Sequence, residues 1–230
     1  MYDGMIEAYS VKVPNAAGMR SMPKRTRGPY AQIGKRVFDV VFVLLVAPII
    51  LPIVGILAVI IGLDGGAAFY GHERVGRNGQ RFTCWKLRSM VADADARLVQ
   101  HLAENPEARM EWDREFKLQN DPRVTRLGRF LRRTSLDELP QFLNVLSGEM
   151  SVVGPRPVTA PEIECYGAQA ASVLNVRPGV TGLWQVSGRN AVSYPDRVAL
   201  DIAYVTKLSF VSDLFIVFKT VKSVLVRTGC

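Results

Sequence analysis

The longest apolar segment of the chain runs from Val40 to Leu63 and contains no charged residue. About 20 apolar residues are enough for a helix to cross the hydrocarbon core of a bilayer. Pro48 and Pro52 lie near the middle of the segment. Proline lacks a backbone N–H, and its ring clashes with the preceding turn. The pattern therefore predicts a membrane helix over residues 35–63 that breaks or bends sharply at its centre.

Basic residues flank this apolar segment on both sides. Lys35 and Arg36 precede it, and the basic residues that follow it include Arg74, Arg77, Arg81, Lys86 and Arg88. Lys and Arg are enriched on the cytoplasmic side of membrane segments, so we expect both flanks on that side. The pattern predicts a re-entrant helix–break–helix that enters and leaves by one face. A kinked transmembrane helix is the alternative.

Residues 1–34 contain several prolines and glycines and show no hydrophobic period. Their basic residues are Lys12, Arg20, Lys24, Arg25 and Arg27. We expect a flexible basic tail. It either contacts anionic lipid, at about 1 kcal/mol per basic residue near the leaflet, or stays solvated without a role.

Residues 64–230 alternate short apolar runs with turn residues and are predicted to form one α+β unit that is mainly helical. Strands are expected at 67–70 and 80–86, joined through Gly76-Arg77-Asn78-Gly79, a composition typical of a hairpin turn. Residues 90–118 have helical spacing with a break at Asn105-Pro106.

The second half of this unit is predicted to contain further short helices and a strand. A short helix over 140–146 should end at Gly148, because glycine readily adopts the left-handed conformation that closes helices. A strand is expected at 151–153, and helix from Val192 onward. The apolar-rich stretch 208–226 predicts a helix that lies either in the membrane interface or in the core.

The amino-acid composition limits the kinds of molecule that this protein is expected to bind. The net charge is +8, which favours anionic partners such as a phosphorylated substrate, acidic lipid or nucleic acid. The three cysteines are far apart in the sequence, and there are only two histidines. This pattern indicates a reducing compartment and argues against a zinc site of Cys and His ligands.

The adjacent acids Asp137 and Glu138 are followed closely by Pro140, a residue favoured in the first turn of a helix. We therefore expect Asp137 to cap a helix N-terminus, where free N–H groups favour an ionised carboxylate and bind phosphate. A carboxylate that attacks phosphorus needs both properties. Helix capping alone is the other explanation for these acids.

Arginines surround the acidic pair: Arg123, Arg126, Arg129, Arg132 and Arg133 precede it, and Arg156 follows within Gly154-Pro155-Arg156-Pro157. Guanidinium groups bind phosphate oxygens in a fork. At helical spacing Arg126, Arg129 and Arg133 share one face, whereas Arg132 points elsewhere. Nucleic acid is disfavoured as the partner, because the chain has no helix-turn-helix, zinc-finger or RNP pattern.

Taken together, the motifs resemble the bacterial sugar transferase family, the monotopic polyprenyl-phosphate phosphoglycosyl transferases, in its exopolysaccharide branch. The resemblance covers roughly residues 33–228. The matching motifs are Lys35-Arg36-Val37-Phe38-Asp39, Arg74-Val75-Gly76, Lys86-Leu87-Arg88-Ser89-Met90, Ser135-Leu136-Asp137-Glu138-Leu139-Pro140-Gln141, Gly154-Pro155-Arg156-Pro157, Arg177-Pro178-Gly179-Val180-Thr181-Gly182 and Gly188-Arg189-Asn190.

The resemblance implies both a reaction and a site. Asp137 would be the nucleophile, taking a sugar-phosphate from a UDP-sugar (UDP-galactose or UDP-glucose) and releasing UMP, before undecaprenyl phosphate accepts the group. Mg²⁺ would bind at Asp137 and the diphosphate, with Glu138 as the second acid. The substrate-binding residues implied are Arg132 and Arg156, with Lys86, Arg88 and Arg189 as weaker candidates.

The resemblance also implies a location, the cytoplasmic face of the bacterial inner membrane. The implied domains are the tail (1–34), the re-entrant helix (35–63) and a cytoplasmic catalytic domain (64–230) with a small hairpin sheet and interfacial amphipathic helices. The oligomeric state is open, with a homodimer among the options. Rival functions are a glycosyl transferase that releases UDP, a non-catalytic membrane-anchored adaptor and a nucleic-acid-binding protein.

Overall fold

The computed structural model describes residues 28–115, 118–187 and 192–225. Most of the predicted tail, residues 1–27, lies outside this range. Its last residues, Tyr30–Gly34, form a π-helical turn that leads directly into the first α-helix. Tyr30 holds this turn in place. Its hydroxyl donates a hydrogen bond to Asp213, and its ring lies edge-on to Phe210, with the centroids 5.7 Å apart.

The apolar segment forms one helix, α1, over Lys35–Gly62. The helix continues through Pro48 and Pro52, so the predicted break in it is not observed. The two prolines are four residues apart and lie on one face. Each removes one hydrogen bond there, which favours a bend within a helix that is otherwise intact. The helix is long and apolar enough to span a membrane, and its most apolar 18-residue window is only 6% buried.

Both ends of α1 pack against the rest of the protein. Val43 near its start and Ile61 near its end are buried, whereas most of the intervening residues, including Leu44, Leu45 and Ile49, are exposed. The exposed apolar middle is therefore held between two anchored ends.

The predicted hairpin is confirmed. β1 (Phe69–Val75) pairs antiparallel with β2 (Arg81–Leu87), and the turn between them contains Asn78 and Gly79, both with positive φ. The strand predicted at 67–70 was wrong in its bounds, because pairing with β2 extends β1 through the polar residues up to Val75. In β2, alternation places Phe82, Cys84 and Lys86 on one face.

Helices follow the hairpin as predicted, with α2 (Ala94–Glu104) and α3 (Pro106–Glu115) separated at Asn105. Next come α4 (Arg126–Thr134) and α5 (Gln141–Ser147). The C-terminal cap of α5 is Gly148 with φ 86°, which confirms the predicted left-handed stop.

A two-stranded parallel pair forms the centre of the molecule. β3 (Ser151–Val153) is fully buried and pairs with β4 (Gly179–Thr181). Between them the chain forms a 3₁₀ segment, Pro161–Gln169, and the short α6 (Ala170–Leu174). The predicted α+β class, mainly helical, is confirmed by this order of elements.

The last two helices are α7 (Tyr194–Thr206) and α8 (Phe210–Leu225). One face of helix α8 packs in the core, as one of the two predicted alternatives requires, and its location in a membrane interface stays a prediction. Ile216 and Asp213 are completely buried against the centre of the molecule. The opposite face exposes large apolar side chains, namely Val211, Leu214, Phe215, Phe218 and Val221.

Candidate active site

The acidic pair lies in the connection between α4 and α5. Ser135 has φ 58° and ends α4, and a 3₁₀ turn, Leu136–Glu138, follows it. The prediction that Asp137 caps an α-helix was wrong. Pro140 occupies the position that flanks α5, and Asp137 lies one 3₁₀ turn earlier. The left-handed Ser135 redirects the chain, so a separate tight turn precedes the helix.

Asp137 is buried, with 6% of its surface exposed. Burial is the main cause that raises its pKa to about 6, and the charge of Glu138 adds to this effect. The charges of Lys86 and Arg132 oppose the shift. Asp137 is therefore less readily ionised than a free carboxyl group, and its neighbouring cations favour the carboxylate form. A buried carboxylate with cationic neighbours is suited to nucleophilic attack.

Lys86 and Arg132 are brought to the acidic pair from different elements. Lys86 Nζ on β2 donates to Glu138 Oε1 at 2.7 Å. Arg132 on α4 donates from Nε to Ser89 Oγ at 2.9 Å, which holds its charge close enough to act on Asp137. Sequence spacing placed Arg132 apart from Arg126, Arg129 and Arg133, and the structure confirms this: those three side chains are exposed.

A cleft open to solvent lies beside Glu138 and Lys86. Its further lining includes Arg74, Arg156, Gln141 and Gln185. Arg156, predicted from its proline-locked turn, therefore shares a cleft with Lys86 and Glu138. The cleft combines two guanidinium groups and an ammonium group with one half-buried carboxylate, an arrangement that favours phosphate groups.

Arg74 was not assigned a role from the sequence, although its motif was recognised. Its guanidinium donates to Glu162 Oε2 at 3.0 Å and to the carbonyl of Pro157 at 3.3 Å. Glu162 is largely buried. Its pKa is lowered because the charges of Arg156 and Arg74 and hydrogen bonds from Thr159 outweigh the effect of burial. Glu162 thus compensates charge at the back of the cleft and leaves an excess of positive charge at its front.

A further group of residues packs around Arg156 and positions it. The guanidinium carbon of Arg156 is 5.5 Å from the ring centroid of Trp184, and that of Arg197 is 5.2 Å away. Asp201 accepts hydrogen bonds from the backbone N–H of Arg156 at 3.4 Å and from Tyr166 Oη at 2.8 Å. Burial raises the pKa of Asp201 to about 7. Nothing in the local sequence predicted this support, since its members are spread over 46 positions from Arg156 to Asp201.

Arg88, a predicted binding residue, does not line this cleft. Arg88 donates to the carbonyl of Ile61 at 3.0 Å and pairs with Asp64, so it binds the end of α1. Arg189 lies outside the described residues. Arg123 forms a buried pair with Asp121 at 2.6 Å, which removes it from the arginines available for substrate.

The acids at the site limit the kind of metal that could bind there. Among the described residues, no group of three or more His, Cys, Asp or Glu side chains is placed to hold a metal ion. Glu138 lines the cleft, and Asp137 precedes it directly in the same 3₁₀ turn. One or two carboxylates fit Mg²⁺, which takes most of its ligands from water and substrate phosphates.

The sequence comparisons agree with this geometry. The family model described as bacterial sugar transferase matches residues 30–227. The chain is 53% identical over 195 residues to a UDP-galactose-lipid carrier transferase of Erwinia amylovora, covering 85% of this chain and 41% of that protein. It is 51% identical over 195 residues to an undecaprenyl-phosphate galactose phosphotransferase of Salmonella typhimurium, with the same coverage.

A third relative is similar along most of its length. The chain is 51% identical over 205 residues to the exopolysaccharide production protein ExoY of Rhizobium meliloti, covering 87% of this chain and 89% of that protein. The chain thus spans about two-fifths of the length of the first two relatives and most of the third. A family match over 30–227 and this degree of identity show that the chain belongs to the bacterial sugar transferase family.

Proposed function

We propose that this protein transfers a sugar-1-phosphate, with galactose or glucose as the sugar, from a UDP-sugar to undecaprenyl phosphate and releases UMP. The names of two relatives contain a UDP-sugar or undecaprenyl phosphate, and both name galactose. The observation that carries the proposal is the buried Asp137 next to Glu138, which Lys86 binds at 2.7 Å, with the charges of Lys86 and Arg132 acting on Asp137. We further propose that this is the first membrane step of exopolysaccharide synthesis; the third relative is named an exopolysaccharide production protein.

In the first step, an oxygen of Asp137 attacks the phosphorus that carries the sugar. The bond from this phosphorus to the bridging oxygen of the diphosphate breaks, and its electron pair leaves with UMP. The sugar-phosphate stays on Asp137 as an acyl phosphate. In the second step, an oxygen of undecaprenyl phosphate attacks the same phosphorus, and Asp137 leaves as a carboxylate.

The cationic side chains have separate roles in this scheme. Arg156 and Arg74 bind the diphosphate oxygens in the cleft, and their charges stabilise the transition state as negative charge shifts to the leaving group. Lys86 keeps Asp137 ionised and orients Glu138 through their 2.7 Å hydrogen bond. Arg132 acts on Asp137 from α4, whereas Lys86 acts on it from β2.

Asp137 and Glu138 would hold Mg²⁺ together with the diphosphate. When bound, the ion supplies charge neutralisation for the phosphate oxygens. The fit rests on the adjacent carboxylates and on the open cleft beside them, which leaves room for water and phosphate ligands.

We infer that α1 follows a re-entrant path and holds the site at the cytoplasmic face of the inner membrane. The support is that both ends of α1 bind the same domain. Arg36 near its start donates to carbonyls of α5, and Arg88 on the domain binds the carbonyl of Ile61 near its end. The exposed apolar middle with two prolines then forms the part that enters the lipid.

The nucleotide product tests the reaction type. The full chain in detergent is given Mg²⁺, undecaprenyl phosphate and either UDP-galactose or UDP-glucose, and the released nucleotide is identified by chromatography. The proposal predicts UMP, and Asp137→Asn should abolish its release while the protein stays folded. Release of UDP would make the protein a glycosyl transferase. Turnover of Asp137→Asn near the wild-type rate would remove Asp137 as nucleophile.

A further inference from the structure

A second cleft lies at the start of α1 and shares no lining residue with the cleft beside Glu138. We call it the basal cleft. Four cationic side chains line it: Lys35, Arg36, Arg77 and Arg177. They come from three parts of the fold, namely the start of α1, the turn of the hairpin and the loop before β4. Residues far apart in sequence therefore converge on one positively charged cleft.

The positive charge of the basal cleft is only partly compensated. Lys35 pairs with Asp213 at 2.7 Å. Within the described ranges, no carboxylate forms an ion pair with Arg36, Arg77 or Arg177. Burial lowers the pKa of Arg177, and the nearby charges of Arg77 and Arg36 lower it further. Three guanidinium groups thus repel one another, and a bound anion would relieve this repulsion.

Two of these arginines are held in place before any ligand binds. Arg36 donates to the carbonyls of Val145 and Leu146, and Arg177 donates from Nε to the carbonyl of Gly148 at 2.6 Å. These carbonyls lie at the C-terminal end of α5, which attracts cations. A guanidinium has five N–H donors, so these hydrogen bonds leave donors for an anion. Binding would not require the two side chains to be ordered first.

The inner wall of the basal cleft also offers an acceptor. Asp39 lines it and is fully buried. Its Oδ1 accepts hydrogen bonds from Ser151 Oγ at 2.8 Å and from the N–H of Val152 at 2.9 Å. Its Oδ2 has no hydrogen-bond partner among the residues that the structure describes. An anion that also carries a hydroxyl or ammonium donor would satisfy this oxygen as well as the arginines.

Two membrane-facing elements begin at the basal cleft. Helix α1 starts at Lys35, and Leu208, which lines the cleft, lies just before α8. Ile33 just before α1, Val37 on α1 and Val211 on α8 are exposed apolar side chains near these starts. If α1 enters lipid here, as the proposed function has it, the cleft lies at the depth of lipid headgroups.

We propose that the basal cleft binds a phosphate group through Arg36, Arg77 and Arg177, and that a phospholipid headgroup supplies it. The site is separate from the cleft that binds the nucleotide-sugar. It rests on the proposed function only in placing α1 in the membrane. A headgroup bound in the basal cleft would link α1, α5 and the hairpin at one point on the membrane surface. It would thereby fix the orientation of the domain.

Native mass spectrometry of the full chain tests this site. The delipidated protein in nonionic detergent is titrated with phosphatidylglycerol, and the bound lipid is counted. Arg77→Gln removes one charge from an exposed turn residue, and Arg81→Gln on the same hairpin is the matched control, since Arg81 lies outside the cleft. At about 1 kcal/mol per basic residue, Arg77→Gln should weaken binding about fivefold and Arg77→Glu more, while Arg81→Gln should leave it unchanged.

A competition arm identifies the source of the phosphate. If millimolar inorganic phosphate displaces the lipid, the site binds a free phosphate ion as well. If phosphate does not displace it, binding of the headgroup also requires the acyl chains of the lipid. Both results keep the phosphate site. Wild-type affinity for phosphatidylglycerol in both Arg77 variants would overturn it. Release of UMP is measured separately: its absence in the wild type would count against the proposed function and leave the binding result unaffected.

Discussion

Lys86 Nζ lies 2.7 Å from Glu138 Oε1 and joins β2 to the 3₁₀ turn that carries Asp137. The two residues influence Asp137 in opposite directions. The positive charge of Lys86 lowers the pKa of Asp137, and the negative charge of Glu138 raises it, on top of the larger effect of burial. The ionisation of the proposed nucleophile therefore depends on both partners.

Replacing Lys86 with Met should move the acid limb of the pH profile of kcat/KM to higher pH. Without the ammonium group, burial and Glu138 raise the pKa of Asp137 further, so a smaller fraction is ionised at neutral pH. We expect a loss of about tenfold or more in kcat/KM near pH 7. Lys86→Arg keeps the charge and should keep the acid limb close to that of the wild type. An unmoved acid limb in Lys86→Met would contradict this role.

Replacing Glu138 with Gln should move the acid limb in the opposite direction, to lower pH. Removing the neighbouring negative charge lowers the pKa of Asp137 below its value of about 6. Turnover should still fall, because Lys86 loses its partner and Mg²⁺ would lose a carboxylate. The exposed Glu73, which pairs with Arg81 across the hairpin, gives the control Glu73→Gln, for which no shift is expected. A shift towards higher pH in Glu138→Gln would show that the charge coupling is misassigned.

The start of α1 depends on a buried charge pair. Lys35 Nζ lies 2.7 Å from Asp213 Oδ2, and Asp213 is fully buried. Lys35→Met leaves an uncompensated charge and should lower the free energy of unfolding by about 3–5 kcal/mol. Arg97→Ala breaks an exposed pair between α2 and Asp93, which caps that helix, and should leave the stability nearly unchanged because water screens the pair. Thermal unfolding at a fixed scan rate compares the two variants, and equal losses would refute the buried pair's role.

Gly128 allows α4 to approach the segment that binds Arg132. A Cβ at this position would lie 1.9 Å from the carbonyl oxygen of Ser89, a backbone atom that cannot move alone. Gly128→Ala should therefore destabilise the protein by about 2 kcal/mol or more and reduce UMP release, since Ser89 also positions Arg132. At Gly55 in α1 a Cβ meets no atom within 4 Å, so Gly55→Ala should be tolerated. Wild-type thermal stability in Gly128→Ala would rule out the close approach.

Local patterns in the sequence were sufficient to predict several features of the fold. The apolar run identified α1, the turn at Gly76–Gly79 identified the hairpin, and Gly148 marked the end of α5, because each depends on residues close in the chain. The acidic pair was recognised for the same reason. The 3₁₀ turn that contains the acidic pair was not predicted, since the left-handed conformation of Ser135 depends on how α4 packs.

Contacts between distant residues could not be predicted in this way. Arg74 and Glu162 are 88 positions apart, and Lys35 and Asp213 are 178 apart. Trp184 behind Arg156 has no spacing that identifies it. These pairs arise from packing of the central strands against the surrounding helices, which residue patterns alone do not specify.

A covalent sugar-phosphate on Asp137 would change the mass of the intact protein, which can be measured directly. The purified chain is mixed with Mg²⁺ and UDP-galactose or UDP-glucose without undecaprenyl phosphate, quenched in acid and weighed by mass spectrometry. We expect a mass increase of one hexose phosphate that peptide mapping places on Asp137. The adduct should be absent in Asp137→Asn and lost when undecaprenyl phosphate is added. Stoichiometric UMP release without any adduct, or an adduct on another residue, would contradict it.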